Sequence, residues 1–178
     1  MTADALFPLS RPVSVADLIR RERLDMTIKA TAEERAALAE YLGIPEVRAL
    51  AATLKLRAEP GRRFLLEGQV RAKLGRTCVV SLEPMEEELD VPLRLVFEDA
   101  AEAAEDEETD PFDEDMPEAV VDGTIDPGAA VCELVALEMT PYPRRPDAGP
   151  MEIQAETADS GRSDHPFAAL AKLRDGKN

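Results

Sequence analysis

The sequence predicts an α+β domain: a strongly curved, partly barrel-like antiparallel sheet of about five or six strands, with two main helices and a short C-terminal helix. Three observations predict it. Period-two alternation runs through "RLDMTIKA", "ATLKLRAEPGRRFLLEGQVRAK" and "ELDVPLRLVF". Two segments carry helix punctuation at both ends. The turn signal Pro60-Gly61 separates two alternating runs whose apolar faces match.

At the N-terminus, Phe7, Leu9, Val13 and Val15 suggest an extended segment, and Pro8 and Pro12 confine it to a sheet edge at best. In "RLDMTIKA", Leu24, Met26, Ile28 and Ala30 share one face, as in a half-buried strand. Thr31 then opens a capping box with Glu34, so a helix is expected from about Ala32 to Leu42, ending at Gly43. Pairing Ala58 with Phe64 and Leu56 with Leu66 keeps apolar faces together, which demands an odd-length turn: Pro60 to Arg62, closed by Glu59 and Arg63. Leu89, Val91, Leu93, Leu95 and Phe97 line a further strand in which Pro92 argues for an edge or a bulge. Asp126 and Pro127 suit the cap and first position of a second helix, with Val131, Leu134, Val135 and Glu138 at helical spacing. The expected organisation is one domain over 1–143, a flexible linker over 144–164 rich in Pro, Gly and Ser, and a short helix over 165–174.

Hydrophobic residues make up 44% of the 178, enough for a core, and with no Trp and two Tyr that core must be aliphatic. The net charge of -16 favours solubility and discourages non-specific attraction to nucleic acid or anionic membranes. The acidity is local. From Glu83 to Asp122 there are 18 Asp and Glu against one base, Arg94, whereas Met1 to Arg76 holds 14 Lys and Arg against 10 Asp and Glu. The centre of the acidic stretch, an expected loop over about 98–118, includes Glu105, Asp106, Glu107, Glu108, Asp110, Asp113, Glu114 and Asp115. It reads either as a solvated loop or as a surface that attracts a basic protein; repelling RNA from one face is a third use.

No apolar run reaches the length of a membrane span, and the start lacks the pattern of a signal peptide. Two cysteines, Cys78 and Cys132, make no disulfide framework, so the expected location is cytoplasmic, with no membrane partner. Catalytic chemistry is poorly supplied. The single histidine, His165, precedes Pro166 as a helix-entry residue, and no nucleophile elbow, P-loop or dinucleotide fingerprint occurs. No catalytic residue, cofactor or small-molecule substrate is therefore expected. "DPFDEDMPE" lacks the central Gly and spaced Glu of a calcium loop. Ser81 stands where a Cys-x-x-Cys pair with Cys78 would need its second thiol, so no metal site is expected. Cys132 reads as a small buried residue within the second helix.

The hairpin has a basic face. Lys55, Arg57, Arg71 and Lys73 project from one side, with Arg62, Arg63 and Arg76 at its ends. These are candidate contacts to RNA phosphates. Alternatively, Glu67, Glu88 and Asp90 on adjacent strands neutralise them by cross-strand pairing. The scarcity of aromatics excludes a base-stacking platform.

Taken together, "FPLSRPVSV", the basic hairpin, "RTCVVSLEP", the acidic segment, "DGTIDPGAAVCELVALEMTPYPRRP" and the terminal "HPFAALAKL" resemble the YceD-type large ribosomal RNA accumulation family. Many relatives carry Cys-x-x-Cys at the position of "TCVVS". The resemblance implies a non-enzymatic part in synthesis, processing or stability of large-subunit (23S) ribosomal RNA in bacteria and plastids, and brings no catalytic residues. The expected partner is a basic ribosomal protein or assembly factor, met by the acidic loop and by Phe167, Leu170 and Leu173 of the terminal helix, with large-subunit RNA as a second candidate partner. The rival expectation is an acidic binding module or chaperone for a ribosomal protein that never touches RNA.

Overall fold

The computed structural model describes residues 7–99 and 117–149. The chain divides into two units, Met1–Ala148 and Gly149–Asn178. Most of the acidic loop, most of the linker and the whole expected terminal helix lie outside the described residues.

The N-terminal expectation needs correction. Strand β1 is only Val13–Ser14, and Val15–Arg21 turns at once into a helix, α1. Val15 and Leu18 are buried at helical spacing, Asp17 lies in the first turn, and Arg20 and Arg21 lie in the last, where each charge suits the helix dipole. The alternation of Phe7, Leu9, Val13 and Val15 concealed this change of period. Strand β2, Arg23–Lys29, then leads into α2, Ala32–Leu42. Its capping box is complete: the Glu34 N–H donates to Thr31 Oγ1 and the Thr31 N–H to Glu34 Oε2. Gly43 ends it in the left-handed region at φ 64°.

Three long strands follow: β3, Glu46–Glu59, β4, Arg63–Thr77, and β5, Pro84–Glu98. The β3–β4 register pairs Ala58 with Phe64 and Leu56 with Leu66 across a three-residue turn closed by Glu59 and Arg63, as expected. Strand β6, Glu118–Ala119, completes a five-stranded sheet in the order β2-β3-β4-β5-β6. The sheet is mixed rather than wholly antiparallel, because β6 runs parallel to β5, and it is open rather than closed into a barrel. Pro92 faces the largely unpaired side of β5, so it behaves as an edge proline with no break in the β4–β5 register. Strand β7, Thr124–Ile125, pairs with β1 in a separate two-stranded sheet. Helix α3, Pro127–Glu138, makes three helices among the described residues, one more than expected there.

One apolar cluster joins the inner face of the sheet to the helices. Leu54, Leu56, Phe64, Leu66, Val70 and Leu74 meet Leu18, Leu38, Val131 and Val135, all essentially inaccessible to solvent. Asp126 locks the N-terminal segment to this core. Its carboxylate accepts from the Gly128 and Ala129 N–H groups, capping α3, and also from Ser10 Oγ at 2.5 Å and the Arg11 N–H at 2.7 Å.

Two predictions follow from this packing. A methyl group at Gly68 would stand 2.1 Å from the Thr53 carbonyl oxygen, a backbone atom of the neighbouring strand. Gly68→Ala should destabilise the protein by at least about 3 kcal/mol in urea unfolding, the upper end for overpacking. Asp126→Ala should lose about 1 kcal/mol for the cap and about 1.5 kcal/mol or more for each charged hydrogen bond to Ser10 and Arg11. Asp126→Asn, which can still cap, should recover part of the loss in the same measurement.

Candidate nucleic-acid and partner interface

The register that buries one face of the sheet arranges charges on the other. Across β2 to β5, Asp25, Lys55, Glu67 and Arg94 stand in one row with alternating sign. Arg57 lies 3.5 Å from Glu67, Arg71 3.1 Å from Asp90, and Lys73 2.6 Å from Glu88. The hydrogen bond that Lys73 donates to the Glu88 carboxylate pushes the ammonium pKa up. Gln69, and then Arg71, hold the Asp90 carboxyl below its usual range. At the hairpin end, Arg63 pairs with Glu98 at 3.1 Å and Arg62 with Asp99. Lys55 makes no ion pair among the described residues, but its cross-strand neighbours Asp25 and Glu67 flank it.

Arg76 differs from the other six bases. It occupies the inner face at the far end of β4, 7% exposed, and pairs with Glu87 at 3.0 Å. Its second arm donates to the Thr140 carbonyl at 2.7 Å, while the Thr140 N–H donates to Glu87. The pair therefore fastens the exit of α3 to the sheet, and Arg76 is turned away from any surface ligand.

Among the described residues of this stretch, seven acids are spent on ion pairs: Glu83, Glu86, Glu87, Glu88, Asp90, Glu98 and Asp99. The acidic stretch is thus two features, a strand whose carboxylates answer the hairpin's bases and a following segment. The candidates Glu105, Asp106, Glu107, Glu108, Asp110, Asp113, Glu114 and Asp115 belong to that segment, outside the described residues, as do Phe167, Leu170 and Leu173. Its ends are placed: Phe97 opposes Glu118 in the β5–β6 ladder, so the chain leaves and rejoins the body at one sheet edge.

Cys78 is buried in a tight turn. The Leu82 N–H donates to the Cys78 carbonyl, and Leu82 takes a positive φ of 60°. The thiol sulfur accepts from the Ser81 N–H at 3.4 Å and the Arg145 N–H at 3.5 Å. Ser81, through its hydroxyl and then its N–H, followed by Arg145, lowers the thiol pKa to about 6. Burial pushes that of Cys132 up to about 11. Among the described residues no three His, Cys, Asp or Glu side chains converge as a metal site, and no helix is long and apolar enough to cross a membrane.

The family comparison bears directly on this region. Residues 66–174 match the family described as Large ribosomal RNA subunit accumulation protein YceD. The chain belongs to this family. The match runs from the first turn-proximal residues of β4 through β5, the acidic segment and α3 to the terminal "HPFAALAKL", so it takes in the acids on both sides of Asp99. No curated protein and no solved structure matched. The family's name ties it to accumulation of large-subunit ribosomal RNA.

Lys29, Arg35 and Arg48 were not singled out from the sequence, yet they gather at the Arg71–Lys73 end of the sheet. Their separation along the chain hides this; the β2–β3–β4 register is the signal that finds it.

The Cys78 environment gives a pH prediction. A thiol whose folded pKa lies near 6, against an ordinary 9.0, is ionised earlier in the folded chain. Its contribution to stability should rise between pH 6 and 9 and be lost as pH falls through 6. Thiolate ultraviolet absorbance should show a step near pH 6 that Cys78→Ser removes, together with that slope in stability.

Proposed function

We propose that this protein is a non-enzymatic, cytoplasmic ribosome-biogenesis factor that supports synthesis, processing or stability of large-subunit ribosomal RNA by holding a basic ribosomal protein or assembly factor. Membership of the large ribosomal RNA accumulation family carries this reading. The charge distribution supports the mode of action. The acids of residues 100–116 have no base among them in the sequence, and the strands that flank them in the chain, β5 and β6, pair at one sheet edge. Such a concentration of one sign accelerates encounter with a basic partner. In this organisation residues 1–143 form the body, 144–164 a linker, and 165–174 a helix that offers Phe167, Leu170 and Leu173 to the same partner.

Contact with RNA falls to the exposed bases Lys55, Arg57, Arg62, Arg63, Arg71 and Lys73, with Arg76 supporting the sheet instead. A second reading, a binding module or chaperone without RNA contact, is favoured by the ion pairs Arg57–Glu67, Arg71–Asp90 and Lys73–Glu88, which neutralise much of that face.

Affinity capture from ribosome-forming cells should recover a basic ribosomal protein or assembly factor with the intact chain. Deleting residues 98–118 should reduce recovery at least tenfold, and Phe167→Ala should reduce it in part or loosen the fold. Equal recovery by all three would overturn the proposed docking role.

A further inference from the structure

The outer face of the sheet is not neutral everywhere. One end forms an open groove of about 650 Å³. The register explains its shape: Lys29, Ala51, Arg71 and Asp90 stand in one row across β2 to β5, and Ala49, Lys73 and Glu88 in the next. Alanines on β3 leave a low floor between taller basic walls. Neighbouring strands lie about 4.8 Å apart, so Lys29 and Arg71 stand roughly 10 Å apart at the backbone with only a methyl group between them. Arg48, at the β-bulge between Val47 and Ala49, and Arg35, from α2, complete the lining.

Five bases face this groove against two carboxylates, in a protein of net charge -16. Lys29 and Arg35 have no carboxylate partner among the described residues; Arg35 donates to the Ala30 carbonyl at 2.9 Å. Arg48 is held by Glu46 and Glu86, whereas the pairs of Arg71 and Lys73 are more than half exposed on both sides. Exposed pairs of this kind are weak, so an incoming anion can exchange for the carboxylate.

We propose that this groove binds the phosphate backbone of unpaired RNA, seating about two or three consecutive phosphates between Lys29 and Arg35 on one side and Arg71 and Lys73 on the other. The assignment to RNA rests on the family reading above; the anionic ligand chemistry rests on the lining itself. No aromatic side chain lines the groove, so bases are not stacked and the contact is insensitive to sequence.

The test uses the full chain and a short fluorescein-labelled oligouridylate, followed by anisotropy. Wild-type binding should weaken with salt at a log–log slope of about -2, that of two or three phosphates on a single strand. Lys29→Ala with Arg35→Ala breaks no ion pair, removes one hydrogen bond to the Ala30 carbonyl, and should weaken binding about tenfold while lowering the melting temperature by no more than about 4 °C. Ala51→Glu, which raises a carboxylate from the floor, should abolish it, while Arg21→Ala, an exposed base on α1 outside the groove, should change affinity less than twofold. Absence of wild-type binding at low salt would overturn the proposal. So would equal affinity of the double variant, an equal loss on Arg21→Ala, or displacement by poly-glutamate as effective as by unlabelled RNA. Large-subunit RNA is measured in parallel in cells lacking the protein. Wild type that restores this RNA without binding the probe removes the groove and leaves the family role standing. Normal RNA levels in cells without the protein remove that role, and the RNA assignment with it.

Discussion

The register between β3 and β4 is the constraint on which the rest of this structure depends. Side chains alternate with a period of two, so a slip of one residue would exchange the two faces of the hairpin. The three-residue turn prevents it, with Gly61 and Arg62 both at positive φ between Glu59 and Arg63. With that register set, Leu54, Leu56, Phe64, Leu66, Val70 and Leu74 form one continuous apolar surface. Helices α1, α2 and α3 have this surface to pack on. Close approach of the strands is part of the same constraint, since Gly68 lets the β3 backbone come nearer than any side chain would permit.

The opposite face inherits its electrostatics from the same alignment. Because β4 lies between β3 and β5, its bases meet the acids of β5 directly, and the sequence's most acidic region begins as a structural wall. This divides the charge into two uses. Glu86, Glu88, Asp90 and Glu98 answer bases on the sheet, while the acids beyond Asp99 follow the point where the chain leaves the β5 edge. Such surface pairs contribute at most about 1 kcal/mol each. They set the pattern of potential more than they hold the fold. The buried Arg76–Glu87 pair is another matter, because both charges are withdrawn from water and losing one partner would strand the other.

Much was legible in the residues alone. Thr31 and Glu34 with Gly43 delimit α2, Asp126 and Pro127 begin α3, and matched alternation around Pro60-Gly61 sets the hairpin register. These features are local: a cap, a turn or a two-residue period is decided by neighbours a few positions away. The basic stripe and its cross-strand acids were legible too, because the register follows from the turn.

What the sequence by itself determined was the set of local elements, the family, and the separation of an acidic centre from a slightly basic N-terminal half. Tertiary structure decided the rest. Whether Val15 continued a strand or began α1 depended on packing of Val15 and Leu18 against the core, which outweighed the alternation preceding them. That β6 runs parallel to β5, that Arg76 is buried, and that Lys29, Arg35 and Arg48 share a groove with Arg71 all depend on residues brought together from distant positions. The physical reason is the same in each case: which elements meet when no tight turn joins them is chosen by strand order and packing, which no local pattern encodes.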